Sequence, residues 1–187
     1  CYPNLTYLYQ SLMFLQWHAK NNGRNTDGFE KENEMAKRTV LITGAAGGIG
    51  RATAKRFARK KRFHLFLVDH HNKLEDLEQL ATSLTEAFAA SVDLATDFKA
   101  DVWLSELLLL YDFRDVYKKI DILINIAGIA PSNMAPLVKT DLEAARKITD
   151  VNFWGTAKLC KAVLPLMQAN GYGRIVNVAS ISAFMAD

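Results

Sequence analysis

Short runs of Val, Ile, Leu and Phe alternate along this chain, from residue 39 onward, with longer stretches whose apolar residues recur every three or four positions. The runs lack the apolar–polar alternation of half-exposed strands, so they read as strands covered on both faces. The pattern predicts strands at Thr39–Thr43, Phe63–Val68, Ala89–Val92, Ile122–Asn125 and Arg174–Ala179. Between them it predicts helices at Gly48–Lys60, Lys73–Phe88, Thr96–Lys118 and Asp141–Ala169. Phe98, Val102, Leu109, Phe113 and Val116 mark an apolar stripe on the third helix, with Ser105 its one small polar break. Regular alternation of strand and helix implies a parallel sheet with right-handed crossovers and helices on both faces, a three-layer α/β/α architecture. In the first helix Arg51, Lys55 and Arg59 are spaced four apart, offset from a row of Ile49, Thr53 and Phe57. The basic row reads as a solvated face, with phosphate or nucleic-acid contact the lesser alternative.

The N-terminal part departs from this pattern. Residues 1–20 are aromatic and apolar, and residues 21–34 are polar and turn-rich. The expected division is therefore an N-terminal extension or leader over 1–34, poorly ordered, and a folded domain over 35–187, with Met35 a candidate natural start. The segment Leu5–Trp17 is interrupted by Thr6, Gln10, Ser11 and Gln16, so it falls short of the ~18 apolar residues of a spanning helix. It has no basic stretch ahead of it and no clear cleavage site, which argues against a signal peptide; an amphipathic anchor is the minority reading.

Composition narrows the classes. The chain has 187 residues, half of them apolar, enough for one domain with a sizeable core. A net charge of +3 is too small to argue for nucleic acid. Two cysteines, Cys1 and Cys160, with no Cys/His cluster, suggest no metal, no disulfide, and a reducing, cytoplasmic setting without a membrane partner.

The first strand runs into Gly44-Ala45-Ala46-Gly47-Gly48-Ile49-Gly50 and then a helix. So tight a strand-to-helix turn requires residues without Cβ. The missing side chains let backbone N–H groups approach a pyrophosphate, and the helix N-terminus adds partial positive charge. A plain turn is the bland alternative, disfavoured by the strand–loop–helix context. The next strand leads to Asp69, nineteen residues after Gly50. A carboxylate there can accept hydrogen bonds from both adenosine ribose hydroxyls and would repel a 2′-phosphate. His70 and His71 follow instead of Arg or Lys, so NAD is preferred over NADP. Asp69 as a helix cap or turn residue is the competing reading, and the two histidines read as exposed loop residues.

Position 53 carries no glycine; the spacing is instead TGxxxGxG, at Thr43, Gly44, Gly48 and Gly50. That pattern resembles the short-chain dehydrogenase/reductase family. More matches follow in order over about Met35 to Asp187. Asp93-Leu94 resembles the family's adenine-contacting Asp. Asn125-Ile126-Ala127-Gly128 resembles its Asn-Asn-Ala-Gly, with Ile126 replacing the second Asn. Asn152 matches the helix asparagine of its catalytic tetrad and Ser180 its catalytic serine. The resemblance implies a Rossmann-like doubly wound sheet of order 3-2-1-4-5, here truncated after the fifth strand, with the cofactor at the carboxyl ends of the strands. It places Thr43, Gly44, Ala46, Gly48, Ile49, Gly50, Asp69, Asp93, Leu94, Asn125, Ala127 and Gly128 as the cofactor-binding set. Asn152 could instead be a buried polar helix residue, and Ser180 a strand-end turn residue with Ser182 a weaker rival.

The family's base is a tyrosine with a lysine four residues on, one helix turn away. Tyr2, Tyr7, Tyr9, Tyr111, Tyr117 and Tyr172 are followed at that spacing by Thr6, Ser11, Met13, Asp115, Asp121 and Val176. None qualifies, and the resemblance puts the pair about a dozen residues past Ser180, beyond Asp187. The implied activity is hydride transfer between NAD(H) and an alcohol or carbonyl substrate. A tyrosine of pKa about 10 working near pH 7 needs about 4 kcal/mol of phenolate stabilisation, which the lysine and the cationic nicotinamide would supply. Ser180 would hold the substrate oxygen and Asn152 a relay water. The 187-residue chain alone is expected to be inactive, with its last strand an unpaired apolar edge; the full-length protein is expected to be a homo-oligomer. A non-catalytic NAD-binding module or pseudoenzyme is the main alternative, and a cofactor-free interaction protein on the same sheet the lesser one. The loop at 130–136 is expected at the substrate mouth, leaving steroids, sugars, small diols and acyl thioesters all open.

Overall fold

The computed structural model describes residues 37–96, 98–111, 119–131 and 136–180. Five strands form one parallel sheet: β1 (Arg38–Thr43), β2 (Phe63–Asp69), β3 (Ala87–Ser91), β4 (Ile122–Asn125) and β5 (Arg174–Asn177), in the order β3-β2-β1-β4-β5. The helices are α1 (Gly48–Ala58), α2 (Leu74–Ser83), α3 (Ala100–Tyr111), α4 (Leu142–Thr149) and α5 (Thr156–Ala169). This is the doubly wound order that the family resemblance implies.

Burial explains the all-apolar strands. Val40, Ile42, Leu65, Leu67 and Ile124 pack with Ala54 of α1 and with Leu77 and Leu80 of α2. Period-two alternation sends the intervening residues to the opposite face. There the Phe66 ring meets Phe88 at 5.8 Å and Tyr111 of α3 at 5.4 Å. Desolvation pushes the Tyr111 phenol up to about 12, and its hydroxyl donates to the Ala89 carbonyl at 3.0 Å.

Several boundaries differ from expectation. α1 stops at Ala58 rather than Lys60, and β5 at Asn177 rather than Ala179. α2 ends at Ser83, and Ala87 and Phe88, expected as its last turn, begin β3. α3 spans Ala100–Tyr111 within the expected Thr96–Lys118, whose residues 112–118 lie outside the described set, as does the 34/35 division. Its buried residues are Trp103, Leu104, Leu107 and Leu108, whereas Val102 and Leu109 of the expected stripe are exposed; Phe113 and Val116 are not described. The long helix exists from Asp141, which caps α4 by accepting from the Glu143 and Ala144 amides. Between α4 and α5, however, Asp150–Gly155 is wound as a π segment.

Polar groups fasten the amino end of the sheet. His64 Nδ1, on a residue 1% exposed, lies 2.8 Å from Glu86 Oε2, and Lys37 reaches the other carboxylate oxygen at 3.4 Å. The His64 hydrogen bond, working against desolvation and aided by Lys37, lowers the Glu86 carboxyl to about 2. A folded-state value below the unfolded one stabilises the fold above about pH 4.5, and that gain is lost as pH falls through about 2. With a quarter of the side chain exposed, solvent screening limits the contribution to about 2 kcal/mol. Urea unfolding should therefore show Glu86→Gln less stable than the parent by about that amount at pH 7. The gap should close as the medium is acidified; equal midpoints at neutral pH would refute the assignment.

Candidate dinucleotide site

The site lies where β1 gives way to α1. Gly44 has φ +65°, a left-handed conformation that side chains disfavour, and a Cβ there would sit 2.7 Å from the Ala127 amide nitrogen. A Cβ on Gly50 would collide with the Gly44 carbonyl oxygen. These two glycines bring the strand end, the helix start and the β4 end together. Gly47 caps α1 without a side-chain acceptor, and the first turn carries no acidic residue. The amides of Gly48, Ile49 and Gly50 therefore open α1 as free donors at the positive end of its dipole.

Surrounding side chains hold this bend in place. Thr43 Oγ1 accepts from both the Ile126 and Ala127 amides at 3.1 Å, tying β1 to β4. Arg51 Nε donates to the Ala46 carbonyl at 2.8 Å, and its guanidinium pairs with Asp76 at 3.3 Å. Arg51 thus departs from the solvated row expected of it, while Lys55 and Arg59 remain exposed.

Asp69 ends β2 beside the bend. Its Oδ2 accepts from the Ala46 amide at 3.0 Å and its Oδ1 from the His70 amide at 2.8 Å. Two backbone donors fix the carboxylate's orientation, each oxygen keeps further acceptor capacity, and Asp69 lines the groove described below. Asp93 Oδ1 accepts from the Ala95 amide, and its Oδ2 lies 3.6 Å from His70 Nε2. The histidines are exposed, as expected, but His70 borders the groove.

Together these elements enclose a groove of about 640 Å³, within the range of small-molecule sites. Thr43, Gly44, Ala46, Gly48, Ile49, Gly50, Asp69, Asp93, Leu94, Ala127 and Gly128 all line it. Asn125 does not; it is buried, and its Nδ2 donates to Asn177 Oδ1 at 2.9 Å and to the Cys160 thiol at 3.5 Å. Lys73 and Lys147 also border the groove. The sequence reading singled out neither, because a surface lysine on a helix or turn carries no distinguishing signal.

Asn152 sits in the π segment. Its Oδ1 accepts from the Ile129 amide at 2.8 Å and its Nδ2 donates to the Ile129 carbonyl at 2.9 Å. Both ends of its amide thus clamp the loop leaving β4. Behind it, Gly155 packs so closely that a Cβ would lie 2.7 Å from Leu94 Cβ. Ser180 is exposed beyond the end of β5 and outside the groove lining, and Ser182 is not described. Among the described residues no cluster of three His, Cys, Asp or Glu could hold a metal, and no helix is long and apolar enough to cross a membrane.

The sequence profile described as short chain dehydrogenase matches residues 38–187. An NAD-dependent glycerol dehydrogenase of Listeria innocua is 30% identical over 161 residues, covering 85% of this chain and 59% of that protein. The structure of an NAD+-bound xylitol dehydrogenase superposes with a TM-score of 0.68 at 30% identity, covering 80% of this chain and 55% of that one. A serine dehydrogenase complexed with NADP+ superposes equally well, at 27% identity over 80% of this chain and 56% of its own. The chain spans 45% to 62% of the length of the curated relatives it matches.

Proposed function

This chain belongs to the short-chain dehydrogenase family, and from that premise we propose that residues 35–187 form the NAD-binding part of an alcohol- or carbonyl-directed oxidoreductase. The observation that carries the reading is the pairing of the Gly44–Gly50 bend with the oriented Asp69 carboxylate. Glycine at 44 and 50 lets the strand end, the helix start and the β4 end close together, and this sets the first residues of α1 in the groove wall, where a pyrophosphate would meet their amides. Its relatives include both NAD- and NADP-binding proteins. Asp69 favours NAD, because a ribose diol can donate to a carboxylate whereas a 2′-phosphate meets like charge.

Bound nicotinamide would accept or supply the hydride. The chain's own residues bind and orient. Gly48, Ile49 and Gly50 present amides to the diphosphate, Asp69 holds the adenosine ribose, and Asp93 and Leu94 border the adenine. Asn152 keeps the Ala127–Ile129 loop in position against the groove and is assigned a place in the proton relay. Ser180 is assigned to the substrate oxygen. No tyrosine of this sequence has a lysine four residues on, so proton transfer by such a pair is not assigned to any of the 187 residues.

Titration calorimetry of the 187-residue chain tests this. NAD+ should bind more tightly than NADP+. Asp69→Ala should weaken NAD+ about 30-fold, the loss of about 2 kcal/mol in hydrogen bonds to a charged acceptor, and narrow the gap to NADP+. The same preparation should show no turnover with a panel of alcohols. A parent chain that prefers NADP+, or an Asp69→Ala variant that binds NAD+ unchanged, would refute the cofactor assignment.

A further inference from the structure

We propose that His70 sets the cofactor preference at the adenosine end of the groove. As the neutral imidazole it leaves Asp69 to select NAD; as the imidazolium it supplies the positive charge that lets the groove accept the 2′-phosphate of NADP. The inference rests on the dinucleotide reading of the groove and goes beyond it, by making the preference depend on the proton of one side chain. His70 follows Asp69 directly, and its own amide donates to Asp69 Oδ1 at 2.8 Å. Its ring is half exposed and lines the same groove as Asp69, Asn72, Lys73 and Asp93. The ring is thus tethered one residue from the carboxylate assigned to the ribose diol, the place where a 2′-phosphate would have to sit.

The surroundings hold the ring in place in both protonation states. His70 caps the turn His71–Lys73, where a bare Nδ1 accepts from the Asn72 amide at 3.3 Å. A protonated Nδ1 has Asn72 Oδ1 to donate to, at 2.9 Å. On the other side of the ring Nε2 lies 3.6 Å from Asp93 Oδ2, within ion-pair reach. The imidazolium therefore turns each of its N–H groups toward an oxygen, and the neutral ring keeps a partner for the cap. Proton uptake changes the charge of this wall without rebuilding it. The neighbouring groups do not already supply that charge. Asp69 and Asp93 are both acidic. Lys73 borders the groove but lies 3.5 Å from Asp76, which also pairs with Arg51. His71, its ring centre 5.6 Å from that of His70, turns Nδ1 to Ser91 Oγ at 2.8 Å and is not among the described residues lining the groove. Lys147 borders the groove from α4. Histidine is the side chain whose charge ordinarily changes between about pH 5 and 8, so His70 is the group that can alter the balance here.

The test is titration calorimetry of the 187-residue chain with NAD+ and NADP+ at about pH 8 and about pH 6. The readout is the ratio of the NADP+ to the NAD+ dissociation constant, because contacts with adenine weigh equally on both dinucleotides. On acidification the parent's ratio should fall about tenfold further than that of His70→Gln, the effect of one unit charge a few ångströms from a phosphate at a half-exposed site. The comparison of the two proteins removes the proton uptake of the 2′-phosphate itself, which occurs in the same range in both. His70→Arg, whose charge does not titrate, should give a low ratio at both pH values, and His71→Gln should follow the parent. Matched thermal midpoints would show that the variants are folded. If His70→Gln does not fold, His70→Arg decides: a ratio at the higher pH equal to the parent's overturns the proposal. Parallel pH dependence in the parent and His70→Gln overturns it, as does a dependence lost in His71→Gln and kept in His70→Gln. Binding of neither dinucleotide overturns the dinucleotide reading and this inference together, whereas binding of both with parallel dependence overturns this inference alone.

Discussion

Gly50→Ala should abolish measurable NAD+ binding and lower the thermal midpoint at the same time. The added methyl would lie on the Gly44 carbonyl oxygen, 2.6 Å from Ala45 Cα and 2.8 Å from the Gly44 carbonyl carbon. All three are backbone atoms, so no rotamer change relieves the overlap. Either α1 moves away from β1 or the bend opens. Both displace the amides of Gly48 and Ile49 from where a diphosphate would meet them. We expect affinity to fall more than about 100-fold, roughly 3 kcal/mol, and stability to fall by about 1–3 kcal/mol, the usual cost of overpacking. Gly48→Ala is the control, because nothing lies within 4 Å of its Cβ position. That substitution should leave stability unchanged or raise it by up to about 1 kcal/mol through helix propensity. A Gly50→Ala chain that binds NAD+ like the parent would remove the basis for the whole site.

Local chemistry was legible in the sequence, and long-range polar contacts were not. The glycine bend and Asp69 could be read because the requirement for missing Cβ atoms and the spacing to the next strand end are both written along the chain. The stripe of α3 was misread because Val102, Trp103, Leu104 and Leu107–Leu110 make the helix apolar on most sides. Spacing cannot select one face of such a helix; the choice is made by Phe66 and Phe88 of the sheet, against which Tyr111 packs. The end of α2 was misplaced for a related reason. Leu84 to Phe88 contains good helix formers, yet Glu86 adopts φ +60° and is held by His64 and Lys37, neither of which is near it in sequence. The π segment around Asn152 and the Arg51–Ala46 clasp likewise depend on partners that the period of a helix does not reveal.

Asp121 is the largest feature that pattern reading passed over, and its removal should have the second large effect. Its Oδ2 accepts the Thr39 amide at 2.8 Å and lies 3.7 Å from Lys119 Nζ. Its own amide donates to the Thr39 carbonyl, and its carbonyl accepts from Arg174, each at 2.9 Å. One residue thus joins β1, β4 and β5 where they begin. Thr39 is 0% exposed, so Asp121→Ala leaves its N–H buried without an acceptor and leaves Lys119 without this carboxylate. An orphaned donor costs about 1–3 kcal/mol, and breaking a buried charged contact brings the expected total to about 3 kcal/mol. Against the roughly 5–15 kcal/mol that holds an ordinary domain together, that is a large fraction, readable as a shift in the urea midpoint. Asp121→Asn keeps an acceptor for Thr39 and loses only the charge, so it should cost about 1 kcal/mol. NAD+ affinity of the folded fraction should not change in either variant, because Asp121 and the groove occupy opposite ends of the strands. Should Asp121→Ala unfold at the same urea concentration as the parent, the junction is held by the backbone ladder alone and the carboxylate is incidental.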